Sequence, residues 1–218
     1  MKSFKAALFD LDGTLLDTLA DLGNSTNNAL ENLGYPIHHL DAYRYFVGDG
    51  ALTLISRALP EASRSEESIK TCLEEFIKVY RRNWDNLTKP YSGIMEMLAG
   101  LAAKGIKLAV LSNKPDDFTR LCVAKYFADS TFDLVYGQRP GVPKKPDPAG
   151  ALAIAETLGI DPGEFLYLGD TGIDMKTANA AGMMAVGALW GFRPRAELEG
   201  NGAKKLVGTP EEFLHLLS

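Results

Sequence analysis

Short apolar runs that alternate with helical segments are the feature that most constrains the fold of this chain. A short apolar run bounded by turn residues predicts a buried strand, and apolar residues at helical spacing follow most of these runs. Strands joined by helices predict an α/β fold, in which helices cover both faces of a parallel sheet. The predicted strands are Ala6–Phe9, Ile106–Leu111, Phe132–Gly137, Phe165–Gly169 and Met184–Leu189.

One long helical segment interrupts this alternation. Between Thr18 and Thr88 no strand pattern appears, and the spacing predicts helices over Leu19–Leu33, Ala51–Leu59 and Glu66–Arg82. We therefore predict an α/β catalytic core formed by residues 1–15 and 88–218, and an inserted helical cap formed by residues 16–87. Ligands of open parallel sheets bind beyond the carboxyl ends of the strands, so a lid that leaves the first strand is expected to cover the site.

Acidic residues follow the first strand and the fourth. Asp10 and Asp12 lie on one side of the first strand end, because side chains alternate along a strand, and Asp170 follows the strand Phe165–Gly169. Three unpaired carboxylates in one crevice would repel one another strongly. A divalent cation offsets that repulsion, and an all-oxygen donor set favours Mg²⁺ over zinc.

The other strand ends offer groups that suit an anion. The sequence "SNKP" places Ser112 and Asn113 just before a helix whose first turn is predicted to contain Pro115. Hydroxyl, amide and helix-terminal N–H groups suit phosphate oxygens. The loop "KKPDP" adds a positive charge from Lys144 or Lys145. Acids with magnesium, hydrogen-bond donors and a lysine fit phosphoryl transfer, which depends mainly on positioning and charge stabilisation.

These motifs together resemble the haloacid dehalogenase superfamily, and specifically its phosphatases. The family's first motif, DxDGT, corresponds to Asp10–Thr14, and its strand-end serine to Ser112. Its lysine before a proline turn corresponds to Lys145, and its GDxxxD motif to residues 169–174. The resemblance implies a Rossmann-like parallel sheet core with an inserted all-helical cap. The stretches "LLDT", "YFVGDGA" and "LSNKP" resemble the phosphoglycolate phosphatase branch, which implies 2-phosphoglycolate as the substrate.

The resemblance also implies a role for each matching residue. Asp10 would be the nucleophile that forms an aspartyl-phosphate, and Asp12 would protonate the leaving group and then activate water. The metal ligands would be Asp10, the main-chain carbonyl of Asp12, and Asp170, with Asp174 as a ligand or support. The phosphate would be held by Ser112, Asn113 and Lys145.

A glycine-rich loop in the predicted cap is the candidate for substrate selection. In "RYFVGDGA", Gly48 and Gly50 allow close backbone approach, and Arg44 could face an acidic substrate. Closure of the cap would exclude bulk water from the phosphoryl group.

Several other functions share part of this pattern of motifs. A dehalogenase of the same superfamily generally lacks the second aspartate of the first motif, and Asp12 is present. A phosphonate-cleaving relative would need a cap lysine for a Schiff base, whereas Lys70 and Lys78 fit the exposed face of a helix. A phospho-accepting signalling domain lacks an acid like Asp12 and a large helical cap. The motifs exclude neither a phosphosugar mutase, nor a phosphatase for another small sugar phosphate, nor a regulatory protein that keeps the fold without turnover.

Charge and hydropathy limit the partners. The formal net charge is −5, and no basic cluster indicates nucleic acid as a main partner. No apolar run reaches the roughly 18–20 residues that span a bilayer, and the first apolar run is too short for a signal peptide and ends in acids. We therefore expect a cytoplasmic protein that binds a small phosphorylated metabolite; the oligomeric state stays open.

Overall fold

A computed structural model describes residues 4–128 and 131–216. Its strands are β1 (Ala6–Phe9), β2 (Leu16–Asp17), β3 (Lys89–Pro90), β4 (Lys107–Pro115), β5 (Leu134–Gln138), β6 (Phe165–Gly169), β7 (Met184–Ala188) and β8 (Lys205–Val207). Its α-helices are α1 (Leu19–Asn32), α2 (Tyr43–Phe46), α3 (Ala51–Ala58), α4 (Glu66–Asn83), α5 (Ile94–Ala103), α6 (Asp116–Tyr126), α7 (Ala149–Leu158), α8 (Gly172–Ala180), α9 (Arg195–Gly200) and α10 (Pro210–His215). The outermost positions of the predicted core, 1–3 and 217–218, lie outside the described residues.

The main sheet is parallel and follows the order β5-β4-β1-β6-β7-β8. β1 lies at its centre, and all four of its side chains are buried. The chain continues from β1 to β4 on one side and later crosses to β6 on the other side. The point where the strand order reverses therefore lies at β1, where open α/β sheets bind ligands. The predicted α/β fold with a parallel sheet is confirmed.

Helices cover both faces of this sheet, which explains why its strands are apolar throughout. Successive side chains of a strand point to opposite faces. On one face, Leu8 packs in a buried cluster with Ile154 of α7 and Met175 of α8. On the other face, the ring of Phe9 contacts the rings of Phe132 and Phe213 edge-on, with centroids 6.3 and 5.7 Å apart. Both layers therefore fix the position of β1, and with it the residues that follow.

Several elements differ from the sequence prediction. β4 was predicted to end at Leu111, but it continues to Pro115 with a register shift against β5. Beyond Leu111 the pairing with β5 resumes at Pro115, opposite Gln138, so the extension follows a strand partner that the apolar pattern does not show. β8 was not predicted, since three residues that begin with an exposed lysine carry little periodic signal.

The chain divides into two compact units, one up to Leu16 and from Pro90 onward, and one over Asp17–Lys89. These limits lie one or two residues from the predicted ones, because the chain crosses through the paired short strands β2 and β3. The second unit is helical apart from the crossing strands. Within it, the buried carboxylate of Asp21 accepts hydrogen bonds from the N–H groups of Leu87 and Thr88, which ties the start of α1 to the returning chain.

Candidate active site

Three aspartates meet at the carboxyl edge of the sheet. The register pairs Phe9 with Val110 of β4 and with Leu168 of β6, so the residues that follow these strands lie side by side. One carboxylate oxygen each from Asp10, Asp170 and Asp174 lies within 4.8 Å of the others. Asp10 is 5% exposed, and the other two are fully buried. The structure thus brings the predicted residues Asp10 and Asp170 together, with Asp174 beside them.

Two turns hold the carboxylate of Asp170 in place. Oδ1 accepts a hydrogen bond from the hydroxyl of Thr14 at 2.9 Å, and Oδ2 accepts one from the backbone N–H of Phe192 at 2.8 Å. Gly13 has a φ of +88°, and a Cβ at that position would collide with the Asp170 carboxylate. The glycine in the motif is therefore required both for its backbone conformation and for this close approach.

Burial and mutual repulsion make this cluster reluctant to ionise. Burial raises the pKa of Asp10 to about 7; Lys145 opposes this rise and Asp174 adds to it. Burial likewise raises the pKa of Asp170 to about 8, with further increases from the charges of Asp10 and Asp174. The hydrogen bonds from Phe192 and Thr14 only partly offset this effect. Ionisation of both Asp10 and Asp170 without a cation in addition to Lys145 therefore costs free energy.

Lys145 is the buried cation of the cluster. Its Nζ lies 2.8 Å from Asp10 and 2.7 Å from Asp174, and it also donates to the carbonyl of Leu111 at 3.0 Å. Burial lowers the pKa of Lys145, but the charges of Asp10 and Asp174 outweigh this effect and raise it well above its usual range. Lys144, the other lysine of the "KKPDP" loop, is exposed. Only the folded chain separates the two lysines in this way.

The donor set fits a hard divalent cation. Within the described residues, the cluster consists of carboxylates, with no histidine or cysteine. Both oxygens of Asp174 are already engaged: Oδ1 accepts from Lys145, and Oδ2 accepts from the N–H and hydroxyl of Thr171. Asp174 therefore supports Lys145 and the first turn of α8, and it stays a candidate ligand beside Asp10 and Asp170, whose carboxylate oxygens also suit Mg²⁺.

Asn113 and Ser112, both predicted to bind phosphate, lie in the last part of β4. The side chain of Asn113 accepts from the Lys145 N–H at 2.9 Å and donates to the Lys145 carbonyl at 3.1 Å. Its amide thus clamps the backbone of Lys145, and a phosphate contact by this side chain stays a prediction. The Ser112 hydroxyl accepts from the Lys114 N–H at 3.2 Å, which leaves its own proton to donate.

The predicted helix start beside these residues was wrong in position. α6 begins at Asp116, and Pro115 is the last residue of β4 and not part of the first helical turn. The helix therefore starts three residues beyond Asn113. Because β4 extends to Pro115, the N-terminus of α6 lies farther along the chain from Ser112 and Asn113 than predicted.

Asp12 has a partner that the sequence did not reveal. The Nζ of Lys114 donates to both oxygens of Asp12, at 2.9 and 3.1 Å. The side chains of Lys114 and Asp12 are only 3% and 11% exposed. The sequence analysis noted Lys114 within "SNKP" but assigned it no role. Its position two residues after Ser112 was the only signal, and position along a strand does not show which charge a long side chain will reach.

The three predicted cap residues lie in the helical unit. Arg44 belongs to the short helix α2, which was not predicted, and its Nε lies 3.8 Å from Asp41. Gly48 and Gly50 have φ values of +120° and +87°, which glycine adopts readily. Arg57, which the sequence analysis missed, pairs with Asp49 at 2.6 Å and so holds the loop between the two glycines.

A parallel sheet with buried acids and a lysine at its switch point defines an enzyme of Rossmann-like α/β fold. A family model for haloacid dehalogenase-like hydrolases matches residues 7–188. The chain belongs to the haloacid dehalogenase-like hydrolase family, so the predicted family and enzyme class, a phosphatase-like hydrolase, are confirmed.

Individual relatives agree with this assignment. A protein of Aquifex aeolicus named phosphoglycolate phosphatase is 35% identical over 86% of this chain and 86% of its own length. One of Pseudomonas putida with the same name is 33% identical over 86% of this chain and 70% of its own length. A crystal structure of a predicted phosphoglycolate phosphatase from Haemophilus somnus has a TM-score of 0.92, with 28% identity and full coverage of both chains.

Proposed function

We propose that this protein is a magnesium-dependent phosphomonoester hydrolase that acts on 2-phosphoglycolate through an aspartyl-phosphate. One observation carries the proposal: Asp10, Asp170 and Asp174 lie buried together at the switch point of a parallel sheet, and the ammonium of Lys145 pairs with Asp10 and Asp174. Negative charge at this position is tolerated only beside cations, and a bound phosphoryl group needs the same surroundings. The choice of 2-phosphoglycolate rests on the names of the similar proteins from Aquifex aeolicus and Pseudomonas putida.

Asp10 is the proposed nucleophile. Its carboxylate oxygen attacks phosphorus, the bond from phosphorus to the ester oxygen breaks, and the phosphoryl group is transferred to Asp10. The ammonium of Lys145, 2.8 Å from Asp10, favours the ionised form of this carboxylate and would balance the charge of the incoming phosphate. The Ser112 hydroxyl, whose proton is free to be donated, would bind a phosphate oxygen.

Asp12 is the proposed acid and base. It gives its proton to the departing alkoxide in the first step. In the second step it takes a proton from the water that attacks phosphorus, and Asp10 is released with inorganic phosphate. Asp10, Asp170 and the main-chain carbonyl of Asp12 would hold Mg²⁺. When bound, the ion would neutralise charge on the phosphoryl oxygens.

The helical unit over 17–89 is proposed to act as the cap that selects the leaving group. Gly48 and Gly50 would let the loop backbone approach a substrate, and Arg44 would favour an acidic one. Within the described residues no helix is long and apolar enough to cross a membrane. A cytoplasmic location and the absence of nucleic acid as a partner stay predictions of the sequence.

A phosphatase screen with and without Mg²⁺ tests this function. We expect phosphate release from 2-phosphoglycolate that depends on Mg²⁺ and exceeds that from other metabolite phosphomonoesters. Asp10→Asn is expected to keep the fold, because amide and carboxylate have the same shape, and to lose turnover. Substantial turnover by Asp10→Asn would refute the nucleophile assignment.

The same screen tests the open alternatives. A mutase would interconvert sugar phosphates and release little phosphate, whereas another sugar-phosphate phosphatase would prefer a different substrate in the panel. Preference for another phosphomonoester would leave the reaction class intact and correct only the substrate.

A further inference from the structure

The ion pair between Lys114 and Asp12 is the strongest feature of the site that the proposed reaction does not use. The pair joins the ends of two neighbouring strands, β1 and β4, across 102 positions of sequence. A buried pair of this kind is a weak source of net stability, because desolvation of both charges opposes their attraction. Because the pair includes Asp12, the proposed acid and base, its role is instead to orient that carboxylate.

The contacts of Lys114 restrict how Asp12 can turn. The ammonium contacts both carboxylate oxygens, so rotation of the carboxylate about its own axis would break a hydrogen bond. The lysine side chain is itself 3% exposed and is therefore enclosed by its neighbours. Its backbone N–H also donates to Ser112, so one residue links the proposed acid to the proposed phosphate-binding hydroxyl.

We propose that Lys114 is a positioning residue that holds the carboxylate of Asp12 in line with the leaving-group oxygen. The inference rests on the proposed function and goes beyond it by assigning Lys114. Lys114 does not transfer the proton; Asp12 gives it to the ester oxygen as the bond to phosphorus breaks. Misplacement of a catalytic group by about 1 Å can cost on the order of 10²-fold in rate.

Substrates with different leaving groups isolate this role. An alkyl alcohol is a poor leaving group and needs protonation by Asp12, whereas p-nitrophenolate leaves without it. The parameter kcat/KM covers the steps up to alcohol release, so it reports this protonation and not the later hydrolysis. Lys114→Met removes the charge but keeps the backbone N–H that donates to Ser112. We expect a loss of roughly 10- to 100-fold in kcat/KM for 2-phosphoglycolate, and a much smaller loss for p-nitrophenyl phosphate.

Lys107→Met provides the matched control. Lys107 begins the same strand, β4, and its Nζ also makes an ion pair, at 2.7 Å from Asp133. It lies at the opposite end of the strand from the site, so neither substrate should be affected. Lys114→Arg retains a donor of the same charge and is expected to recover part of the loss on 2-phosphoglycolate.

A double variant covers the case in which Lys114→Met fails to fold because Asp12 is left unpaired. Asp12→Asn together with Lys114→Met removes both charges. If Lys114 acts through Asp12, the double variant should have the same kcat/KM as Asp12→Asn alone on both substrates. A further loss in the double variant would overturn the proposal, as would an equal loss on both substrates in Lys114→Met or a gain on 2-phosphoglycolate. No magnesium-dependent turnover by the unaltered protein on either substrate would refute the proposed function itself.

Discussion

The raised pKa values of Asp10 and Asp170 make a prediction about stability that needs no substrate. The pKa of Asp170 lies at about 8 in the folded chain, against an ordinary value of 3.8. Between these values the folded state binds a proton that the unfolded state has released. The contribution to stability is therefore fully present below about pH 4 and is lost as the pH rises through the folded pKa. Asp10, with a pKa of about 7, acts in the same direction.

The expected size follows from this single proton. A difference of one bound proton changes the free energy of unfolding by about 1.36 kcal/mol for each pH unit. From pH 5 to pH 8 the contribution of Asp170 falls by about 4 kcal/mol. For a chain of this length, each kcal/mol lowers the melting temperature by about 2–4 °C, so the metal-free protein should melt on the order of 10 °C lower at pH 8 than at pH 5 through this group.

The assay is thermal unfolding of the metal-free protein and of Asp170→Asn across this pH range. The amide cannot ionise, so the melting temperature of the variant should fall much less between pH 5 and pH 8. At pH 8 the variant should melt at a higher temperature than the unaltered protein. Mg²⁺ should raise the melting temperature of the unaltered protein more at pH 8 than at pH 5, because protons compete for the ligand oxygens. In Asp170→Asn the shift with Mg²⁺ should largely disappear.

Asp161→Asn is the matched control. Asp161 is exposed, and its side chain accepts a hydrogen bond from the N–H of Gly163, a role that asparagine fills equally well. Its pH profile should follow that of the unaltered protein. Parallel profiles for the unaltered protein and Asp170→Asn, or an equal response of both to Mg²⁺, would refute the reasoning.

Three further changes test how the cluster is held together. Lys145→Met leaves the carboxylates of Asp10 and Asp174 without their buried cation and should destabilise the protein by roughly 3–5 kcal/mol in urea unfolding, whereas Lys144→Met should have little effect on stability. Gly13→Ala forces a side chain into a positive φ and against Asp170, and the backbone strain alone should cost about 1–2 kcal/mol, measured by thermal unfolding. Asn113→Ala removes both clamps on the Lys145 backbone and should cost about 1–3 kcal/mol, with a loss of magnesium-dependent turnover.

Each of these changes has a result that would contradict it. Equal stability of Lys145→Met and Lys144→Met would mean that the buried ion pairs are compensated elsewhere. An unchanged melting temperature in Gly13→Ala would mean that the turn can relax away from Asp170. Full stability and turnover in Asn113→Ala would mean that the hydrogen bonds of Asn113 are not needed to position Lys145.

The apolar runs and the residues at their ends were enough to predict the parallel sheet, the helical insertion and the meeting of Asp10 with Asp170. Buried strands carry a strong local signal, and the carboxyl ends of parallel strands must share one edge. The sequence also indicated Ser112, as a polar residue directly after an apolar run. It indicated the glycines of the cap loop and a lysine of the "KKPDP" loop, since loop composition reflects local chemistry.

Only the tertiary structure decided which charges meet. It buried Lys145 between Asp10 and Asp174 while leaving Lys144 exposed, and it turned Asn113 toward the Lys145 backbone. It also paired Lys114 with Asp12. Long side chains reach several ångströms, and their partners depend on strand register and burial, so residue spacing along the chain does not determine those pairs.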